Sequence, residues 1–249
     1  MGQTDTSPLR ATSSDAVQDL PHEVVAFRKS YACGHLSDWH DHPRHQLIHA
    51  VAGLMRVRTA DANWVVPPGS GLLMPAGRAH RVRMVGDVRV ETLYVARQVD
   101  GFDTPRMISV TPLLSLLIAA LCRAEEDTVR NAHLRALALI ELRAAPTEAL
   151  SLPTPRDVAL RRVCAALTAD PANPRGLDAW AVQAGRSRRS FTRTFQAQTG
   201  LSFGQWRGRL RAQVAMTRLA AGEAETRVAR DLGYASPYAL RALLARMAR

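Results

Sequence analysis

The chain changes its hydrophobic period once, near Pro112, so one simple layer cannot accommodate both halves. Between Val24 and Val95 it reads as short strands, with fragments such as LMRVRTA, WVVPPG, HRVRMVG and VRVETLYVA punctuated by glycine and proline. Strands this short and this spaced indicate an antiparallel sandwich or barrel. From Pro112 onward apolar residues recur at i, i+3, i+4 and i+7, first in PLLSLLIAALCRAEED and then in NAHLRALALIELRAA. That period predicts an amphipathic helical hairpin, suited to packing on the barrel or to joining two copies of the chain. The segment APTEALSLPTPRD then carries Pro146, Pro153 and Pro155 with no periodicity, as an interdomain linker does. A two-domain protein is expected: an all-β barrel with a following helical hairpin, then an all-α domain.

Charge divides at the same seam. Residues 1–150 hold 16 Lys+Arg against 16 Asp+Glu, whereas residues 151–249 hold 17 against 6, so the whole excess of +11 lies in the last part. A basic domain joined to a neutral one points to nucleic acid, because neutralising phosphates supplies sequence-independent affinity. Arginine outnumbers lysine 32 to 1 over the chain, so arginine count alone distinguishes little. No apolar run approaches a membrane span, the longest, Leu113 to Cys122, being broken by Ser115. The first 20 residues lack the apolar stretch of a secretory signal and are expected to be a disordered tail, which makes a cytoplasmic protein. Cys33, Cys122 and Cys164 are odd in number and far apart, which suggests buried thiols rather than disulfides or a metal knuckle.

Two stretches carry chemistry. The first, WHDHPRHQLIHAVAG from Trp39 to Gly53, has four histidines in ten positions. On a strand alternate side chains share a face, so His40, His42 and Gln46 have one parity while His45 and His49 have the other. Further on, GSGLLMPAGRAH supplies His80 as a third imidazole after a glycine-permitted turn. His22, His35 and His133 are isolated and expected on surfaces or loops.

The second stretch, GLDAWAVQAGRSRRSFTRTFQAQTG, reads as two short helices joined by a tight turn at Gly185, the second capped by Ser187. Phe191 and Phe195 point into a core, leaving Arg188, Arg189, Thr192, Arg193 and Gln196 on the opposite side. Arginine pairs bidentately with guanine and glutamine with adenine in the major groove, so this pair of helices suits DNA reading. A longer helix from Phe203 ends at Gly222. After it, TRVARDLGYASPYALRALLARM repeats the pattern, with Val228, Leu232, Leu240 and Leu244 as its core, Gly233 at the turn and Ser236 as the cap. The joining helix spans about 29 Å at 1.5 Å per residue, close to the ~34 Å repeat of DNA, so two such readers can enter successive major grooves.

The first stretch resembles the cupin family. That family's first motif is G, five residues, H-x-H, three residues, E, six residues, G; Gly34, His40, His42, Gln46 and Gly53 fall on those positions, with glutamine where the family has glutamate. In the second motif Gly69, Pro75, Gly77 and His80 match, and Met84 replaces an asparagine. The resemblance implies a cupin-like, jelly-roll barrel in which His40, His42 and His80 bind a divalent transition metal with Gln46 as a neutral fourth ligand; no cofactor is required by a pocket that takes an organic ligand alone.

The last part resembles the AraC/XylS family of bacterial transcription regulators, through LDAWAVQAGRSRRSFTRTFQAQTGLSFGQWRGRLR and RVARDLGYASP, from about Asp157 to the C-terminus. It departs from that family in having Leu240 and Leu244 at aromatic core positions, Ala242 where a basic residue is common, and no glycine–proline–aromatic tail. The resemblance implies a cytoplasmic, homodimeric, sequence-specific regulator and not an enzyme: a sensor barrel binds a small-molecule effector and the paired readers bind double-stranded promoter DNA. Arg188, Arg189, Thr192 and Arg193 would contact the first groove, and Pro237, Tyr238 and Arg241 the second. The expected division is a tail at 1–20, the barrel at 21–110, the hairpin at 111–145, the linker at 146–156 and the DNA-binding domain at 157–249. A metal-dependent cupin dioxygenase or isomerase with a nucleic-acid-binding tail, and a nonspecific architectural DNA binder, are the alternatives at this point.

Overall fold

The computed structural model describes residues 14–124, 128–148 and 151–247. It divides into two compact units, each with its own core. One comprises the described residues up to Met55 together with Val66–Glu148; the other comprises Arg56–Val65 together with the described residues from Ser151 on.

The first unit is an antiparallel sheet. Strand β1 (Val24–Tyr31) pairs along its whole length with β5 (Arg81–Val95), Val24 opposite Val95 and Tyr31 opposite Val88. Beyond β5 lie β2 (His45–Arg58), β4 (Ser70–Met74), β6 (Arg106–Ser109) and β7 (Thr147–Glu148), in that order. Alternation decides what each side chain meets. Val24, Leu47, Leu93 and Val95 face helices α1 (Pro112–Cys122) and α2 (Val129–Ala144), burying Leu114, Leu117, Ile118, Ala138 and Leu142 against them. The intervening residues Val25, Phe27 and Tyr94 turn to the other face and cover Val17. Thr111 and Thr128 cap the two helices through their hydroxyls, each accepting a backbone N–H three residues on.

Residues 14–20, expected to belong to a disordered tail, are instead held in place; residues 1–13 lie outside the described residues. Val17 is buried, and Arg44 donates to the carbonyls of Gln18, Leu20 and His22, so one guanidinium satisfies three acceptors of an otherwise irregular segment. The proline-bearing stretch read as a linker contains β7 and also β8 (Ser151–Pro153). Of the cysteines, Cys164 is buried but Cys33 is exposed, contrary to the expectation of buried thiols.

The second unit is helical, apart from β3 (Ala62–Val66) pairing with β8, Ala62 opposite Pro153. Its helices are α3 (Val158–Ala169), α4 (Leu177–Gln183), α5 (Arg188–Thr199), α6 (Phe203–Ala220), α7 (Glu225–Asp231) and α8 (Pro237–Met247). Leu160, Trp180, Phe191, Phe195, Phe203, Trp206 and Leu210 make one core, in which Phe203 meets Phe191 and Phe195 edge-on at 5.1 and 5.4 Å between ring centres. Such aromatic pairs add stabilisation beyond the area they bury. The two indole N–H groups donate to the carbonyls of Arg175 and Pro153, so the aromatic core leaves neither unpaired. Ala212, Ala215, Val228, Ala229, Leu232, Leu240 and Leu243 make a second core. Leu243 takes the deep position expected of Leu244, which is only half-buried.

Four motif glycines, Gly34, Gly53, Gly69 and Gly77, all have φ between 70° and 84°. At Gly53 a Cβ would also stand 2.6 Å from the Asp87 carbonyl oxygen, whereas at Gly77 it would meet nothing within 4 Å. Left-handed backbone costs an L-residue about 1–2 kcal/mol, and forcing a methyl into a packed site adds about 1–3 kcal/mol. Gly53→Ala is therefore expected to lower stability clearly more than Gly77→Ala; urea-unfolding midpoints of the two variants measure the difference, and equal losses would contradict the close approach.

Candidate functional site

The sheet of the first unit encloses a cavity of about 310 Å³ whose lining includes Phe27, His40, His42, Gln46, Ile48, Met55, His80 and Tyr94. Strand parity delivers Gln46 and Ile48 from β2 to this face while sending His45, Leu47 and His49 to the other. His40 and His42 precede β2 in a stretch that closes on β5 by backbone pairing: His40 and His80 exchange N–H···O bonds of 3.0 and 2.9 Å. That bridge sets two imidazoles side by side, their ring centres 4.5 Å apart, with His42 5.0 Å from His40 and 5.6 Å from His80.

One donor nitrogen from each of the three rings lies within 4.8 Å of the others. The Nδ1 atoms of His40 and His80 sit 2.8 Å from the carbonyl oxygens of Asp38 and Arg78. A carbonyl only accepts, so both Nδ1 atoms carry the proton and both Nε2 atoms present a lone pair. The Nε2 of His80 is buried and has no partner among the described residues. Burial, reinforced by the neighbouring imidazoles, lowers the His42 pKa to about 4; burial, with a further contribution from His40, takes His80 to about 4 as well. Near neutral pH these two rings are uncharged and available as ligands. Gln46 donates through Nε2 to the Tyr94 hydroxyl at 3.0 Å, which leaves its Oε1 buried and unpaired. The back of the cavity thus holds two buried acceptor atoms, His80 Nε2 and Gln46 Oε1, without a partner among the described residues, which fits a cation or a ligand rich in N–H and O–H groups.

His45 and His49 hold structure. His45 lies 3.1 Å from the Arg97 carbonyl, accepts the Ala76 N–H and packs on Phe102, while His49 lies 2.8 Å from the Ser70 carbonyl. His35 is exposed in a loop, as expected, and its ring meets Tyr31 at a tilt, 4.8 Å between centres, at the edge of the cavity. Tyr94, which orients Gln46, belongs to no local motif and is found only through the β1–β5 pairing and the fold of β2.

In the second unit, α4 and α5 meet at Gly185, with φ 65°, and Ser187 caps α5 by accepting the Ser190 N–H. Arg186 fixes this turn from the outside, its Nη2 2.6 Å from Asp157 Oδ2 and its Nη1 donating to Thr194. Phe191 and Phe195 are fully buried, and Arg188, Arg189, Arg193 and Gln196 are exposed. The side chains of Arg189, Arg193 and Gln196 engage no partner among the described residues. Arg188 pairs loosely with Asp178 at 3.2 Å, and the half-buried Thr192 turns its hydroxyl back to the Arg188 and Arg189 carbonyls. In α8 Leu240 and Leu243 point inward, Pro237 is half-buried, and Tyr238 and Arg241 are exposed. Arg241 Nε donates to Glu225 Oε1 at 2.8 Å. No helix among the described residues is long and apolar enough to cross a membrane.

Residues 24–142 match the family described as the AraC-like ligand binding domain, and residues 180–249 match a helix-turn-helix domain. The chain is 29% identical over 203 residues to the HTH-type transcriptional regulator NimR of Escherichia coli K12, a match spanning 79% of this chain and 74% of that one. Among solved structures it is similar to ToxT from Vibrio cholerae strain SCE256 with unsaturated fatty acid bound, at 9% identity and a TM-score of 0.37, covering 90% of this chain and 91% of that one. It is also similar to a cupin superfamily protein from Desulfitobacterium hafniense, at 14% identity and a TM-score of 0.27, covering 33% of this chain and 85% of that one. With a pocketed antiparallel domain followed by two capped helix-turn-helix units, the chain has the make-up of a transcriptional regulator, an AraC-like ligand-binding domain in its N-terminal part and a helix-turn-helix domain in its C-terminal part.

Proposed function

We propose that a small effector enters the His40–His42–His80 cavity together with a divalent first-row metal ion, and that the chain acts as a cytoplasmic homodimer on promoter DNA without catalysing a reaction. The observation that carries the metal is the pair of buried lone pairs on His80 Nε2 and Gln46 Oε1. His40, His42 and His80 would hold the ion, with Gln46 beside them, and its chemistry would be that of a Lewis acid attracting oxygen or nitrogen donors of the effector. Gln46 is neutral, so the position beside the three imidazoles offers an acceptor and not a base, which suits binding rather than turnover. Occupancy shifts DNA affinity by as much as the effector prefers one state of the protein over the other. The domain division that fits this reading is a sensor barrel over 21–110, a hairpin over 111–145, a connecting segment over 146–156 and a DNA-binding domain over 157–249.

The DNA contacts proposed are Arg188, Arg189, Thr192, Arg193 and Gln196 from α5, and Pro237, Tyr238 and Arg241 from α8. The homodimer contact proposed is the outer face of the hairpin, where Leu116 and Ile140 are 67% and 60% exposed and Leu113, Val129 and Leu137 are exposed as well. A row of large apolar side chains facing water is a docking surface more often than an accident.

Three outcomes are expected. Zn²⁺ or Ni²⁺ at a hundredfold excess over its Kd stabilises a protein by about 2.7 kcal/mol. Its addition should raise the melting temperature of the wild type, fail to do so in His80→Ala and act at lower concentration in Gln46→Glu; a wild type indifferent to every divalent metal tried removes the ion from the site. Arg193→Ala should narrow the gap between cognate and scrambled duplexes by about 1–3 kcal/mol in fluorescence anisotropy, while a variant with unchanged discrimination takes Arg193 off the bases. A Leu116→Arg, Ile140→Arg double variant, altered only at exposed positions, should sediment as a monomer where the wild type sediments as a dimer; a wild-type monomer, or a dimer in both proteins, excludes this face.

A further inference from the structure

The two reading helices are laid out from equivalent starting points. Each follows a serine cap, Ser187 or Ser236, and each buries the fourth residue beyond it, Phe191 or Leu240. Counting from the caps sets Arg189 against Tyr238, Thr192 against Arg241, Arg193 against Ala242 and Gln196 against Ala245. On α8, Tyr238, Arg241, Ala242 and Ala245 are all exposed and follow one another at i, i+3, i+4 and i+7, so they form a single outward stripe opposite Leu240 and Leu243.

The chemistry of the two stripes is opposed. Where α5 offers the fork of Arg193 and the amide of Gln196, α8 offers two methyl groups. Arg241, the basic residue within the α8 stripe, is tied by its Nε to Glu225 on α7. Glu225 thereby raises the Arg241 pKa and offsets its charge. An alanine neither donates nor accepts, so a base edge brought against it exchanges water hydrogen bonds for nothing. The cytosine amino group and the guanine oxygen lose by that exchange. The C5-methyl of thymine is the one major-groove feature that gains from apolar contact, and a short side chain lets the helix approach it closely.

We propose that α8 reads thymine: Ala242 and Ala245 contact C5-methyl groups in the half-site of the second reader, whereas α5 reads its half-site by hydrogen bonds. The inference rests on α5 and α8 being the reading helices, and it makes the operator chemically asymmetric, with one half recognised through donors and acceptors and the other through methyl groups.

The test uses the full-length protein and the duplexes it selects from a pool of random 30-base-pair DNA. Selection repeated with Arg193→Ala and with Ala242→Arg, both at exposed positions, assigns each half-site to its helix by which part of the selected sequence changes. Ala242→Arg should replace a thymine by guanine in the α8 half. Replacing thymine by uracil in that half deletes only the methyl, and at about 0.8 kcal/mol per buried methyl-sized group the Kd should rise about fourfold for each contacted base. The same replacement in the α5 half should leave affinity unchanged. Because the uracil substitution alters the DNA and not the protein, its result is independent of how any variant folds. The proposal is overturned by full affinity for the uracil-containing α8 half, by an α8 half without thymine, or by an Ala242→Arg selection identical to the wild type. If neither variant changes the selected sequence anywhere, the assignment of the reading helices themselves is what fails.

Discussion

Helix α6 belongs to two hydrophobic cores at once, and the layout of the DNA-binding unit follows from that. Its first half gives Phe203, Trp206 and Leu210 to the aromatic core under α4 and α5, and its second half gives Ala212 and Ala215 to the core under α7 and α8. A helix fixes the spacing and rotation of everything it carries, at 1.5 Å and 100° per residue. The two helix pairs, α4 with α5 and α7 with α8, are therefore set by one helix and not by an irregular connection. A reciprocal cap holds its start, Ser202 accepting the Gln205 N–H while the Gln205 side chain accepts the Ser202 N–H. At its end Arg218 reaches Glu223 and Asp231, both at 2.7 Å, joining the turn to α7.

The pocket of the first unit obeys a different constraint. Three imidazoles crowd together, and taking them out of water keeps His42 and His80 neutral at physiological pH. Backbone carbonyls then choose which nitrogen of His40 and His80 carries the proton, so the lone pairs are aimed before any ligand arrives. Such preorganisation serves recognition, since little is left to reorganise on binding. The change of one oxygen for nitrogen at Gln46 matters as much: the amide is anchored to Tyr94 and presents an acceptor, but it has no proton to exchange.

What the sequence made legible was local in cause. Caps at Ser187 and Ser236, turns at Gly185 and Gly233 and the inward phenylalanines of α5 each depend on residues within one or two helical turns, and periodicity reports such spacing. Strand parity likewise separated Gln46 from His45 and His49. Long-range choices were not legible. Tyr94 reaches Gln46 across 48 positions, β8 finds β3 across the Val66–Glu148 part of the first unit, and Arg44 gathers carbonyls from a segment some 20 residues earlier. Leu243 and Leu244 are adjacent and equally apolar, so the inward one is chosen by the rotation of α8 over Val228 and Leu232, which composition does not encode.

Positive charge shows the same difference between amount and place. The last 99 residues carry the whole excess, but several of their arginines are turned to internal tasks: Arg207, Arg209 and Arg211 donate to the carbonyls of Asn173, Ser151 and Pro171, and Arg186 serves Asp157. The three bonded to carbonyls still contribute to the field that draws a polyanion toward the unit, since a carbonyl partner does not cancel a charge, whereas Asp157 offsets that of Arg186. Part of each of these guanidinium groups is engaged inside the protein: both Nη atoms of Arg207 and Arg186, Nη1 of Arg209 and Nε of Arg211. Attraction to DNA is thus spread over the helical unit, whereas the unspent donors of Arg189, Arg193 and Gln196 are concentrated on one stripe of α5. Sequence preference comes from contacts to base edges and not from attraction to phosphate, and the exposed faces of α5 and α8 differ in what they offer such an edge: unpaired donors on one, alanine methyl groups on the other.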